Sequence, residues 1–259
     1  MKNLRLFLLL AFAGAGVNAQ PTFEAWSTAY ESSATATAHA CNYPATVNAG
    51  DLLILIGSWV DNLTTGSVTG FTAISINDDS NSGSSGSWYR DAVGDEDGST
   101  VDLDLSATES AVCIMARFSG AEDPATQAPV AGTANPQSST TTWSPPVSAT
   151  VASDDYLGIG YSAIGGSPGT PGGGDTDRQD LESAFDGGVA ALAASYASFS
   201  GTSWTPSANT GSSSRNAVSQ TLVIYPAAGG GGVTDVRLMQ RLKNGYGPHE
   251  SQQLGGLLQ

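Results

Sequence analysis

Few side chains in this sequence can do chemistry, and their spacing limits what that chemistry could be. The chain has two histidines, His39 and His249. A Ser-His-Asp triad needs an imidazole oriented beside a nucleophile; among so many Ser and Asp residues, a pairing with His39 carries little weight. A structural zinc site needs about four Cys or His ligands at tight spacing, which this sequence does not offer, and no cofactor is expected. Acidic loops are the remaining metal candidates, because calcium takes roughly six to eight oxygen ligands. Asn77, Asp79 and Asn81 have EF-hand-like spacing, but Trp88 stands where the closing Glu belongs. Asp95 and Asp97 flank Glu96 in a turn, and Asp175 and Asp177 follow a glycine run. Each cluster reads first as a solvated turn, so no metal is assigned and calcium stays a weak candidate. No carboxylate pair stands out for glycoside hydrolysis, and the chain reads as non-enzymatic.

Aromatic rings are the other reactive surface. Trp88, Trp143 and Trp204 sit in loop-like or strand-opening context and could stack on sugars; core packing is the competing reading for most of the tryptophans. Cys41 and Cys113 lie on strand-like segments. They could form a cross-strand or inter-sheet bridge on an oxidising route, or remain two half-buried thiols.

The elements that must position these residues are β-strands. Residues 44–56 and 148–160 spell one phrase twice: Ala45, Thr46, Val47, Asp51 and Leu53 recur as Ala149, Thr150, Val151, Asp155 and Leu157, at a constant offset of 104. Each copy reads as strand, polar turn, apolar strand, which predicts two related halves of one β-structure. Strand signals cover 23–30, 35–42, 51–60, 71–76, 87–93, 99–105, 109–118, 147–151, 156–163, 189–199 and 217–225. Val101, Leu103 and Leu105 alternate with Asp102 and Asp104, as in a half-exposed strand. Residues 52–56 are apolar throughout, as in a strand covered on both faces. Residues 180–185 could form one helical turn. The Ala-rich stretch 187–197 favours helix by propensity, but its alternation argues for strand. Long Gly/Ser/Pro stretches at 78–86, 121–142, 165–174 and 200–214 read as loops. The expectation is an all-β, jelly-roll-like β-sandwich of about eleven short strands, with a pseudo-duplicated strand-turn-strand unit and a flexible C-terminal tail.

The ends differ from the middle. Residues 1–19 carry Lys2 and Arg5 ahead of an apolar run too short to span a bilayer, with small residues before Gln20. They read as a secretory signal, or as an apolar arm that packs on a partner. The sandwich domain is placed at 20–226 and a Gly linker at 227–232. Residues 233–259 form an anchoring or assembly tail in which Val236, Arg237, Met239, Arg241 and Leu242 could share one helical region. Only 13% of residues are charged, and 24 acidic against 9 basic residues give a net charge of −15. Such a surface repels phosphate backbones and anionic membranes, so nucleic acid is not expected; no other segment is long and apolar enough to cross a membrane, so no span is expected either.

The order of motifs suggests a family at the level of its fold. It runs G-D-L-L-I from Gly50, G-F-T from Gly70, W-Y-R-D-A-V-G-D-E from Trp88, E-S-A-V-C-I-M-A-R-F-S-G from Glu109, P-P at Pro145, D-D-Y-L-G-I from Asp154 and S-Q-T-L-V-I-Y-P up to Pro226. Over residues 35–226 this resembles the β-sandwich virion structural proteins of tailed, often marine, bacteriophages, of tail-fibre or decoration type. The resemblance implies a non-enzymatic virion exterior protein, a capsid decoration or tail-attached adhesin. It would be multicopy or homo-oligomeric and expose its sandwich for surface or glycan attachment; the basic C-terminal tail lies outside the family pattern and would be this chain's own device for holding other virion or surface proteins. It implies no catalytic residues. The alternative is a secreted or cell-surface bacterial adhesin or carbohydrate-binding module, which the signal-like start favours. A lectin-fold lyase or hydrolase is the weakest reading.

Overall fold

The computed structural model describes residues 20–31, 36–60, 65–78, 83–152, 154–165, 176–182 and 190–228, with residues 31, 78, 165, 176–182 and 211–213 described by their backbone alone. The first half contributes β1 (Thr22–Trp26), β2 (Tyr30–Glu31), β3 (Ala36–Asn42), β4 (Leu52–Trp59), β5 (Gly66–Val68), β6 (Thr72–Asp78), β7 (Ser84–Asp91), β8 (Thr100–Glu109) and β9 (Ala111–Ser119). The second contributes β10 (Val130–Ala131), β11 (Asn135–Trp143), β12 (Asp154–Gly165), β13 (Thr176–Glu182), β14 (Ala190–Gly201) and β15 (Asn209–Ile224). No helix occurs among the described residues, so the all-β expectation holds.

Two six-stranded antiparallel sheets and one three-stranded sheet result. The first large sheet has the order β1-β9-β4-β7-β6, with β2 also on β9; the second has β10-β15-β12-β14-β13, with β11 also on β15. These are one pattern used twice. In each sheet the final strand of the half lies between the opening strand and the central one, and a hairpin completes the far edge. No strand of either half joins the other half's large sheet, β3, β5 and β8 of the first half forming the small sheet instead, so the likeness to a jelly roll rests on the sandwich alone.

The repeated phrase marks the entry to the two central strands, β4 and β12. It does not make hairpins: residues 43–51 and 144–152 are irregular, and the strand expected at 147–151 is absent. Val47 and Val151 are both buried before the strand begins. The match then slips by one. Leu52, Ile54 and Ile56 share a core with Leu157, Ile159 and Tyr161, whereas Leu53, the literal partner of Leu157, joins the core on the opposite face. A one-residue shift flips every side chain of a strand, so burial and not spelling sets the equivalence.

All eight positions of β4 are buried, which explains its unbroken apolar run: both of its faces are covered. One faces the second large sheet across Ile114, Phe118, Leu192 and Leu222. The other packs under the small sheet β3-β8-β5, with Trp59, Trp88, Leu103, Leu105 and Met115 between. Apolar burial on this scale, at about 25 cal/mol per Å², is what a strand this apolar requires. The interior becomes polar toward one end, where the Tyr161 hydroxyl donates to Gln220 Oε1 at 2.7 Å and Asn77 Nδ2 donates to the same oxygen at 2.8 Å. Burial, offset in part by Ser87, Ser85 and Asn77, pushes the Tyr161 phenol up to about 12.

Three further expectations are corrected. β11 runs through the region read as a loop at 121–142, because its Ser/Thr-rich run NPQSSTTTW pairs along β15 and needs few apolar contacts of its own. β13 runs into the residues read as a helical turn at 180–185, and β15 begins inside the stretch read as a loop at 200–214. The Ala-rich segment is strand β14, as its alternation indicated; Ala190, Leu192 and Ala194 enter the shared core and Ala191 and Ala193 the opposite face.

The described residues from Gln20 to Ala227 belong to one packed unit. The apolar N-terminal segment and the tail residues Val236, Arg237, Met239, Arg241 and Leu242 lie outside the described residues. No helix among the described residues is long and apolar enough to cross a membrane.

Candidate functional site

Cys41 on β3 and Cys113 on β9 form a disulfide, their Cα atoms 5.8 Å apart, within the usual range for a bridge. It fastens the small sheet to the large one. His39, two residues earlier, is fully buried. Its Nε2 lies 3.1 Å from the Ala36 carbonyl, and the Tyr30 ring meets it edge-on. Burial lowers its pKa, against the opposing pull of the Ala36 and Glu109 backbone and the Asp102 charge. An imidazole held this way is framework, with no route to a substrate.

The tryptophans divide. Trp88 is buried between the first large sheet and the small one, 6.3 Å from Trp59 by ring centroids. Trp143 is buried on the outer side of the second large sheet, and its indole N–H donates to the Arg215 carbonyl at 3.3 Å. Neither presents a ring face to solvent, which corrects the expectation that they bind ligand. Trp204 is half-buried on the outer side of the second large sheet, over Gly158. The signal that separates the three lies in the partner strand and not in the local sequence: glycine at 158 leaves the space that the Trp204 ring occupies.

The turn after β7 is built around Glu96, not around its neighbours. Glu96 Oε1 accepts from Val93 N at 2.9 Å and from Arg90 Nη2 at 2.6 Å, and Oε2 accepts from Gly94 N at 2.8 Å and Asp95 N at 3.1 Å. Burial opposes ionisation, but these backbone donors and Arg90 outweigh it and hold the carboxyl below its usual range. Asp97 accepts the Val47 amide, and Asp95 is exposed. The turn thus aims its N–H groups at its own carboxylate, the reverse of a cation cage. Among the described residues no three His, Cys, Asp or Glu side chains converge on a metal-sized point. Asp79, Asp175 and the side chain of Asp177 lie outside the described residues.

One open cleft was not foreseen. An open depression of about 520 Å³ is lined by Gly70, Thr72, Tyr89, Arg90, Asp91 and Pro124, among others. A second, of about 240 Å³, is lined by Leu52, Asp91, Glu122 and Asp123 among others. Asp91 borders both, and burial together with the Asp123 charge raises its pKa. A carboxyl raised beside another carboxylate is one ingredient of acid–base work. The other ingredients are committed elsewhere. Arg90 is paired with Glu96 and stacked over the Tyr43 and Phe71 rings, and Asp123 caps its own turn by accepting from Ala125 N. Asp91 and Asp123 meet only because the loop after β9 folds back beside the end of β7, so no local spacing could have paired them.

Comparison with known proteins adds no assignment: no family model, no curated protein and no solved structure matches this chain.

Proposed function

We propose that this chain is a non-enzymatic structural protein of a virion exterior, a capsid decoration or tail-attached adhesin that displays its sandwich in many copies. One observation carries the reading: the groups best suited to chemistry are spent on the framework. His39 is sealed beside the disulfide, Glu96 is wrapped by its own turn, and Asp51 is buried against Arg117 at 3.1 Å. The exposed remainder is acidic, polar and low in lysine, as suits a displayed domain that multiplies weak contacts through avidity. Quantitative mass spectrometry of purified particles tests it. A fixed number of copies per particle, removed by mild dissociation without loss of the genome, supports the reading; particles that lack the protein end it.

A second reading, a secreted bacterial adhesin or carbohydrate-binding module, is favoured by the Cys41–Cys113 bond, since disulfides persist in oxidising compartments. Gln20 fits it as well: its Nε2 donates to the Tyr156 carbonyl at 3.0 Å, so the packed unit starts where a signal would be cleaved. N-terminal sequencing and intact mass with and without reduction separate the readings. A start at Gln20 with an intact bond favours export, and a start at Met1 or Lys2 with free thiols favours the particle.

A further inference from the structure

The outer face of the second large sheet carries a row of near-parallel aromatic rings, of which Trp204 and Phe199 are partly exposed and Tyr156 is buried. Trp204 rests on the backbone of β12: a Cβ at Gly158 would overlap its Cε3 and Cζ3 atoms. The ring is therefore set against the strand, and the indole is only half-buried. Phe199 runs almost parallel, with 16° between the planes and centroids 6.0 Å apart, and Tyr156 continues the row at 5.4 Å and 29°. The backbone is pinned on both sides, Trp204 N donating to Ser148 Oγ at 2.9 Å and Ser148 N donating to the Trp204 carbonyl at 2.8 Å. Unlike the Trp143 indole, whose N–H is taken by Arg215, the Trp204 N–H has no acceptor among the described residues. Thr202, Ser203 and Thr205 are exposed on either side of it, and Asp154 lies at the end of the row, two residues before Tyr156.

We infer that this row is a binding subsite for a neutral glycan. A pyranose has an apolar C–H face matched to a flat ring and hydroxyls around its edge that need donors and acceptors. Trp204 and Phe199 supply the face, the indole N–H supplies a donor, and the threonine and serine hydroxyls and Asp154 supply the rim. A ring already fixed in place loses little freedom on binding. The net charge of −15 turns away uronates and sulfated sugars, which is why the ligand is neutral. The inference rests on the attachment function proposed above and names its ligand class and site.

The test is titration of the full chain with neutral oligosaccharides of glucose, mannose, galactose and N-acetylglucosamine, beside sulfated and uronate counterparts. Calorimetry and tryptophan fluorescence give the readouts. Saturable binding of at least one neutral set, with none of the anionic ones, is expected, and Trp204→Leu should weaken it at least tenfold. Trp143→Phe should leave the affinity unchanged. Should Trp204→Leu fail to fold, N-bromosuccinimide oxidation of the unsubstituted protein mapped by mass spectrometry reports the same contact, because bound glycan should protect Trp204. Absence of binding across the neutral set overturns the inference, as does binding that persists in a folded Trp204→Leu protein or leaves Trp204 unprotected. Particle stoichiometry is measured separately: copies on the particle without glycan binding remove the subsite and keep the display function, while glycan binding without particles does the reverse.

Discussion

Asp51 and Arg117 meet in a buried ion pair, Oδ2 to Nη1 at 3.1 Å, that ties the start of β4 to the end of β9. Glu24 on β1 lies 3.6 Å from the other guanidinium nitrogen, so three neighbouring segments of the first sheet share one cation. Removing a single partner strands a buried charge, which typically costs about 3 to 5 kcal/mol. Asp51→Ala should therefore lower the urea midpoint sharply, and adding Arg117→Met should recover most of the loss. A double variant no more stable than Asp51→Ala would show that the pair is not the cause.

The disulfide closes a loop of 72 residues between Cys41 and Cys113. Loop-closure entropy for that length corresponds to about 4 kcal/mol, roughly 10 °C in melting temperature for a domain of this size. Reduction, or the Cys41→Ser/Cys113→Ser pair, should lower the melting temperature by that order in calorimetry. The small sheet should gain hydrogen exchange before either large sheet does.

His39 makes stability depend on pH in a defined window. Burial holds its folded-state pKa below the ordinary 6.5, so the unfolded chain takes up the proton first. Stability is then full above about 6.5 and falls as the pH drops below it. Glu96, lowered from 4.5, destabilises the fold only at more acid pH. Asp91, raised from 3.8, has the opposite sign and also acts in the acid range. Between pH 7 and pH 5 the unfolding midpoint should fall in the parent protein and stay level in His39→Phe.

Gly86 lies against the buried ring of Trp88, where an added methyl would overlap Cη2 and Cζ2. Overpacking of this kind typically costs about 1 to 3 kcal/mol. Gly86→Ala should be destabilised within that range in urea titrations, and Gly86→Ala/Trp88→Leu should be less destabilised than the sum of its single changes.

Sequence pattern located the elements whose burial is periodic. β4 declared itself by an apolar run and β8 by Leu103 and Leu105 turned inward between Asp102 and Asp104. β14 emerged from its alternation despite its alanine content. β11 and the start of β15 stayed hidden because strands rich in Ser, Thr and Asn, held by hydrogen bonds to a neighbour, carry no apolar rhythm. The candidate surfaces were less legible. Trp88, Trp143 and Trp204 look alike in sequence, and only what each meets across a sheet decides which is core. Asp91 and Asp123 become neighbours through a chain reversal that leaves no trace in spacing.

Two halves that weave one pattern and meet face to face are laid out like a dimer spelled by a single polypeptide, with the shared core where a subunit interface would lie. The link between β9 and β10 then works as a tether rather than a structural member. A break placed in it should give two fragments that find each other in solution and restore the native spectrum, and the first fragment, with its extra small sheet and its disulfide, should be the one that keeps partial order alone.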